Sequence, residues 1–151
     1  MSENYSDILN TQWDDIPEPK VLPDGSYLLK LRNASYQPAK GEGDPTVMFA
    51  YKVVEPMDDV PQDENDKLGN DYDYDLNTIF SRFWISNTAD WAKVRKHLEK
   101  HGVDVSGKTP TEALKDARGS EVVAFLQQRS YTNNSGQDVT ENQPTNFSEV
   151  Q

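Results

Sequence analysis

The chain has 151 residues, a length that suits one domain with additional tails at its ends. It contains no cysteine, which excludes disulfide bonds, thiolate metal sites and a cysteine nucleophile. No apolar run reaches membrane-spanning length, and the first residues lack the basic and apolar stretches of a signal peptide. The sequence therefore predicts a soluble, cytoplasmic protein without a membrane anchor.

The net charge of -11 is concentrated in two segments. Residues 1–19 contain five acids and no base, and residues 55–75 contain nine acids and one lysine, so the segments carry -5 and -8. Together they hold -13, which leaves +2 for the other residues. Because the acids lie in predicted loops and the cations on a few predicted elements, the domain can still bind an anionic partner. Acidic loops that serve only solubility are the plainer explanation.

The chain begins with an arm that leads into the domain. Residues 1–21 are polar, with Pro17 and Pro19 favouring an extended chain, and we expect this arm to lie on the domain or to be mobile. A Leu-Pro-Asp-Gly turn then begins a single domain, which we assign to residues 22–150. Alternation over residues 26–36 predicts a first strand with one apolar face. The other face carries Lys30, Arg32 and Tyr36.

A second strand and a long acidic loop come next. Residues 46–54 alternate between an apolar row and a row that contains Lys52, and the pattern leaves the inward side open. The loop over residues 55–75 is long for a compact domain, which is typical of functional or disordered segments. A calcium-binding EF-hand loop here would need glycine and glutamate where the chain has Leu76 and Arg82, so we predict no metal site.

The third strand carries the strongest functional signal. Residues 79–85 alternate, so that one predicted core face holds Ile79, Phe83 and Ile85 and the opposite face holds Phe80, Arg82 and Trp84. The second face places two aromatic rings beside a guanidinium, a combination that stacks on unpaired bases and binds their phosphates. The alternative is an amphipathic surface strand whose rings are covered by the acidic loop.

A basic amphipathic helix over residues 88–101 follows directly. An asparagine or threonine caps it, an apolar stripe faces the core, and Gly102 ends it. His97 and His101 have a spacing that can hold zinc, but the glutamate of the metalloprotease pattern is absent, and we expect both side chains to be exposed. No nucleophile, base and orienting group share a local motif, so we predict that the protein is not an enzyme and needs no cofactor.

The remaining elements complete a recognisable order. A short helix is predicted within residues 106–119, and a strand over residues 121–131 carries Arg129. A final strand is predicted over residues 139–150, where Pro144 indicates an edge strand or a break. The order is therefore three strands, two helices and two strands. It predicts a mainly β fold, the five-stranded OB-fold Greek-key barrel, with a helix and a short second helix between strands 3 and 4.

With these motifs in place, the sequence resembles the phage-encoded OB-fold single-stranded DNA-binding proteins. The resemblance is carried by Leu-Pro-Asp-Gly-Ser-Tyr at residues 22–27, Val-Val-Glu at 53–55, Ile-Phe-Ser-Arg-Phe-Trp at 79–84, and the helix before Gly102. It implies binding of single-stranded DNA without strong sequence preference, protection of that DNA during phage replication and recombination, and a location in the cytoplasm of an infected host cell. Replication or recombination proteins are the implied protein partners. Many such proteins end in an acidic tail that recruits partners, whereas residues 137–151 hold three acids.

Eight residues are candidates for contact with the nucleic acid. The cations expected to bind phosphates are Lys30, Arg32, Lys52, Arg82 and Arg129, and the rings expected to stack on bases are Tyr36, Phe80 and Trp84. Two alternatives stay open. The chain could be an acidic interaction module or nucleic-acid mimic that presents residues 55–75 to a DNA-processing enzyme. An OB module could also bind a protein or a saccharide through the same face without needing cations.

Overall fold

The computed structural model describes residues 19–39, 41, 43–69 and 71–150, so most of the predicted arm lies outside the described residues. The strands are β1 Gly25–Gln37, β2 Thr46–Pro56, β3 Thr78–Trp84, β4 Glu121–Thr132 and β5 Asp138–Glu149. The helices are α1 Gln62–Asp66, α2 Thr88–Lys100 and α3 Pro110–Asp116, and a 3-10 turn spans Tyr74–Leu76. Among the described residues, none of the helices is both long and apolar enough to cross a membrane.

The five strands form one antiparallel sheet in the order β3-β2-β1-β4-β5. This confirms the mainly β class, and α2 and α3 lie between strands 3 and 4 as predicted. The position of β5 at the end of the sheet confirms the edge strand that Pro144 indicated. Across the described part of the chain no strand pairing joins β3 to β5, so the sheet is open, and it is not the closed barrel that the sequence predicted.

The core lies on one side of this sheet, and alternation explains which residues enter it. Fully or almost fully buried side chains come from three adjacent strands: Tyr27, Leu29 and Leu31 of β1, Val47, Phe49, Tyr51 and Val53 of β2, and Val122, Ala124 and Leu126 of β4. The inward side of strand 2, which the sequence left open, is therefore the side of Phe49 and Tyr51. Each large apolar side chain buried here contributes about 1.5–3 kcal/mol to folding.

Local signals fix the ends of α2 on this core. The Asn87 side chain accepts a hydrogen bond from the Asp90 amide at 3.1 Å, and the Asp90 carboxylate accepts one from the Ser86 amide at 2.8 Å. The second bond lowers the pKa of Asp90, because it stabilises the ionised carboxylate. The helix ends before Gly102, whose φ of 78° is in the left-handed region that glycine tolerates. These features agree with the sequence prediction.

The acidic segment between β2 and β3 is anchored to the domain at a few points. Val60 and Leu68 are buried in the core. The Asp59 carboxylate accepts hydrogen bonds from the amide and the hydroxyl of Ser26, both at 2.8 Å. A Cβ atom at Gly25 would lie 2.5 Å from Val60 Cγ2, so the close approach of the segment to β1 requires glycine there.

A cluster of aromatic and imidazole rings occupies the core between α2 and β2, and it overturns one sequence prediction. His97 and His101, expected to be exposed, are only 5% and 6% exposed. The Tyr51 hydroxyl oxygen lies 2.7 Å from Nε2 of both imidazoles. Phe147 of β5 covers the cluster, with its ring centre 4.5 Å from that of His97. Helical spacing predicted the apolar stripe of α2. It gave no indication that the buried Tyr51 hydroxyl provides a hydrogen-bond partner for both histidines.

The hydrogen bonds in this cluster define the protonation of both imidazoles. His101 Nδ1 donates to the backbone oxygen of His97 at 2.7 Å. A neutral His101 ring therefore accepts at Nε2 from the Tyr51 hydroxyl, and the Tyr51 oxygen in turn accepts from His97 Nε2. Burial lowers the pKa of His101, and burial together with His101 and Lys100 lowers the pKa of His97 to about 3. The cluster is thus neutral, and the Tyr51 hydroxyl and both Nε2 atoms have hydrogen-bond partners.

Candidate nucleic-acid interface

Strand β3 presents its second row of side chains to solvent, as the alternation predicted. Phe80 and Trp84 are 55% and 57% exposed, and Arg82 lies between them. We call the side of β2 and β3 that carries these three residues the outer face. Their partners on β2 are Ala50, Met48 and Thr46, which are too small or flexible to cover the rings. The alternative in which the acidic loop covers the rings is therefore wrong.

The guanidinium groups nearest these rings are available to an anion. Arg82 Cζ lies 5.8 Å from the centre of the Trp84 ring, a cation–π distance that orients the guanidinium over the indole. On β4, Arg129 Nη1 donates to the Gln143 side-chain oxygen at 3.0 Å. Within the described residues neither Arg82 nor Arg129 forms a salt bridge. Both can therefore donate charge-assisted hydrogen bonds to a phosphate.

A second group of cations on the outer face is partly neutralised. Lys30 of β1 lies opposite Lys52 of β2 and also opposite Glu121 of β4. Asp75, at the end of the acidic segment, places Oδ1 3.5 Å from Lys52 Nζ and 3.9 Å from Arg32 Nη2. Such exposed pairs contribute about 0–1 kcal/mol each, so a phosphate can displace Asp75 at small cost.

A groove lies between β3 and the β4–β5 hairpin and continues the outer face. We call it the edge groove; its volume is about 740 Å³. It brings Phe80 and Arg82 of β3 together with Arg129 and Tyr131 of β4 and Glu141 of β5. The structure thus places two of the predicted cations and one predicted ring around one concave surface.

The edge groove adds Tyr131, which the sequence analysis did not name as a site residue. Its ring is 45% exposed and lines the groove. The available signal was its position two residues after Arg129, because alternate residues of a strand share a face. The local sequence pattern gave no indication that this face of β4 lies near β3 in space.

One end of the groove is crossed by the segment that leads into β1. We call residues 20–22 the strap. The Asn77 side-chain amide donates to the Lys20 carbonyl at 2.8 Å, just before β3. The Asn142 side chain, on β5, accepts from the Leu22 amide at 2.9 Å and donates to the Leu22 carbonyl at 2.8 Å. The strap therefore connects the two edges of the open sheet through side-chain hydrogen bonds.

One predicted site residue lies on the other side of the sheet. The register of β1 against β2 shifts between Leu31 and Asn33, so that Arg32 is an extra residue in β1. Such a β-bulge reverses the alternation that follows it. Tyr36 consequently pairs with Val47 on the core side, and its ring centre lies 5.9 Å from that of Trp91. The prediction that Tyr36 shares a face with Lys30 and Arg32 was wrong for this reason.

The assembled surface combines charged groups with exposed rings. Rings, guanidinium groups and amines are on one side, and the described residues include no group of three or more histidine, aspartate or glutamate side chains placed to hold a metal ion. Guanidinium groups recognise phosphates, and exposed rings stack on planar bases. A comparison of the sequence with protein-family models finds no matching family, and a comparison with curated proteins finds no match.

Proposed function

We propose that this protein binds single-stranded DNA without strong sequence preference, and that it protects such strands during phage replication and recombination, as the resemblance noted above implies. The observation that supports this is the row Phe80, Arg82 and Trp84 on the outer face, with both rings more than half exposed. Exposed rings offer flat apolar faces, and every base has a face on which they can stack. Arg82 supplies the charge for the phosphates.

We also propose that the sheet is an opened form of the OB barrel. That barrel has five strands and is itself partly open. The sheet also has five strands, in the order β3-β2-β1-β4-β5, and the strap lies across the gap between β3 and β5. OB folds bind oligonucleotides on strands 2 and 3 and the adjoining loops, which corresponds to the outer face and the edge groove.

The test is a fluorescence-anisotropy titration of a labelled oligothymidine strand, with a duplex of equal length as competitor. We expect tighter binding to the single strand, because stacking needs bases whose faces are free. Affinity should fall with salt, with a log-log slope of about -0.7 for each neutralised phosphate. If the unaltered chain does not bind the strand in dilute buffer, the proposal is rejected.

A matched pair of aromatic variants locates the surface. Trp84 and Tyr36 are both about half exposed, but the structure places them on opposite sides of the sheet. Trp84→Ala should weaken binding to the oligothymidine, and Tyr36→Ala should leave it unchanged at a temperature where both variants are folded. Equal losses from both variants would show that binding does not use the outer face in particular.

The acidic mimic is the second candidate, and one observation favours it. The described part of the acidic segment is packed on the domain through Val60 and Leu68, so its exposed carboxylates are held in a fixed pattern. A mimic needs such a pattern to face a basic protein surface. The same titration separates the two functions, because a mimic of nucleic acid should not bind the oligothymidine at all.

A further inference from the structure

Glu141 places a carboxylate in a groove that is otherwise suited to an anion. It lies on β5 and lines the edge groove together with Phe80, Arg82 and Arg129. In the strand register Glu141 is opposite Arg129, yet Arg129 Nη1 donates to the Gln143 side-chain oxygen at 3.0 Å. Within the described part of the chain Glu141 forms no salt bridge. Its carboxylate can therefore accept hydrogen bonds from a ligand in the groove.

The Gln143 side chain adds a donor beside this acceptor. A guanidinium group can only donate, so the amide of Gln143 must present its oxygen to Arg129, and its NH₂ group remains to donate elsewhere. Glu141 and Gln143 are alternate residues of β5, so their side chains leave the same face of the strand. This edge of the groove therefore offers an acceptor next to a donor.

A nucleobase with an exocyclic amino group matches that pair. Cytosine and adenine present an amino donor next to a ring-nitrogen acceptor, and carboxylates in proteins accept from the cytosine amino group. Thymine presents one ring N–H between two carbonyl oxygens, so a carboxylate that accepts from it also faces an oxygen. Phosphates are repelled by a carboxylate. A bound strand must therefore turn a base, and not its backbone, toward Glu141.

We propose that Glu141 and Gln143 read one base of the bound strand, and that the edge groove favours a base with an exocyclic amino group over thymine. This inference rests on the proposed function, because it assigns a base preference to the same surface. The exposed rings of Phe80 and Tyr131 line the groove and can stack on that base. One hydrogen bond changes an affinity about twofold to tenfold, which is compatible with binding that has no strong sequence preference.

The test compares labelled oligodeoxycytidine with labelled oligothymidine, each about twelve nucleotides long, a length within the site size of one OB fold. Both are pyrimidine strands, and both are titrated by anisotropy at neutral pH, where cytosine is unprotonated. The unaltered protein should bind oligodeoxycytidine about twofold to tenfold more tightly. Oligodeoxyuridine should bind like oligothymidine, because it lacks only the methyl group. Equal affinity for all three strands, or a preference for oligothymidine, would overturn the inference.

Glu141→Gln and Glu149→Gln form a matched pair of variants. Both remove one negative charge from an exposed residue of β5, but of the two only Glu141 lines the edge groove. Glu141→Gln should bring the ratio of the two affinities close to one, because an amide can turn either its oxygen or its nitrogen toward a base. Glu149→Gln should leave the ratio unchanged. A ratio that changes equally in both variants, or in neither, would mean that Glu141 is a solvated charge and not a base contact.

Glu141→Lys replaces the acceptor with a donor. Its added positive charge raises the affinity for every strand, so the ratio of affinities is again the quantity to compare. The ammonium group can donate to the carbonyl oxygen that thymine carries in place of the cytosine amino group, and the preference should turn toward oligothymidine. A continued preference for oligodeoxycytidine in this variant would contradict the role of Glu141.

The same titrations separate this inference from the proposed function. If no strand binds to the unaltered protein in dilute buffer, the proposed function is rejected and the base preference is rejected with it. If the strands bind but the ratio of affinities does not depend on Glu141, the proposed function stands and the base preference is rejected.

Discussion

On both sides of strands β2 and β3, aromatic rings lie beside nitrogen-containing side chains, but the two environments are opposite. On the outer face Phe80 and Trp84 flank Arg82 in solvent. On the inner side the Tyr51 hydroxyl is hydrogen-bonded to His97 and His101, and all three side chains are buried. The Arg82 guanidinium is open to solvent and can reach a ligand, whereas the imidazoles are buried and neutral and belong to the core. Access to water therefore distinguishes the two clusters more than residue type does.

The largest expected effect tests the inner cluster by pH. The folded pKa of His97, lowered by burial to about 3, is below the unfolded value of about 6.5, so the unfolded state binds more protons between these values. The stabilisation is complete above pH 6.5 and is lost as pH falls toward 3, at about 1.4 kcal/mol per pH unit. The free energy of unfolding from urea titrations should therefore fall by about 3 kcal/mol from this source between pH 6.5 and 4.

The control for this titration is the double variant His97→Gln with His101→Gln. It should be less stable at neutral pH, because its amides cannot reproduce both bonds to Tyr51, but its stability should decline less steeply with acid. The difference in slope isolates the histidines from the many carboxylates that also titrate. Identical slopes would mean that the imidazoles are not buried as neutral groups.

The second prediction removes one oxygen from the same cluster. Tyr51→Phe leaves His97 and His101 without their shared partner. One buried unsatisfied group costs about 1–3 kcal/mol, and because two groups lose a partner here we expect a loss in the upper part of that range, about 2–3 kcal/mol in the free energy of unfolding. The matched control is Tyr27→Phe, which is equally buried but donates to the Pro23 carbonyl alone. A larger loss from the control would contradict the shared role of the Tyr51 hydroxyl. Neither variant should change DNA affinity.

The outer face was predictable from sequence because its signal is local. Alternation along β3 depends only on the period of a strand, and nothing interrupts that period between Ile79 and Trp84. The cap and stop of α2 are equally local and were also predicted correctly. The order of the five strands, with α2 and α3 between strands 3 and 4, followed from these elements together, whereas the short helix α1 inside the acidic segment was not predicted.

The features that were missed depend on residues far apart in the chain. The bulge at Arg32 is a property of the pairing with β2, so the alternation that placed Tyr36 could not reveal it. The burial of the histidines needs the Tyr51 hydroxyl, 46 residues before His97. The edge groove needs the approach of two sheet edges, and no local pattern marks Tyr131 as its lining.

The third prediction sharpens the contrast between adjacent residues of β3. Trp84→Ala should weaken oligothymidine binding by about 1–3 kcal/mol, the usual loss for one stacking ring, with little change in thermal stability. Phe83 is half-buried, with its ring centre 5.7 Å from that of Phe49 and 4.9 Å from that of His97. Phe83→Ala should therefore cost about 2–3 kcal/mol of stability and leave binding unchanged in the folded protein. The opposite pattern would mean that the two faces serve the reverse roles.

The smallest expected effect concerns two groups of cations: Arg82 and Arg129, which form no salt bridge within the described part of the chain, and Lys52 and Arg32, which Asp75 partly neutralises. Removing the whole acidic segment would also remove Val60 and Leu68 from the core, so one carboxylate is the sharper target. Asp75→Asn frees Lys52 and Arg32 and should raise affinity for oligothymidine by about 0.5 kcal/mol in dilute buffer. The gain should shrink at physiological salt, where charges beyond about 8 Å are screened.

The control for Asp75→Asn lies two residues earlier. Asp73→Asn makes the same change in net charge, and its amide oxygen can still accept the hydrogen bond from the Asp75 backbone that begins the 3-10 turn. A gain from both variants would reflect the overall field of the protein, because the two share only their charge. A gain from Asp75→Asn alone would place phosphates at Lys52 and Arg32. No gain from either would confine the nucleic acid to β3 and the edge groove, since the cations held by Asp75 would then lie off its path.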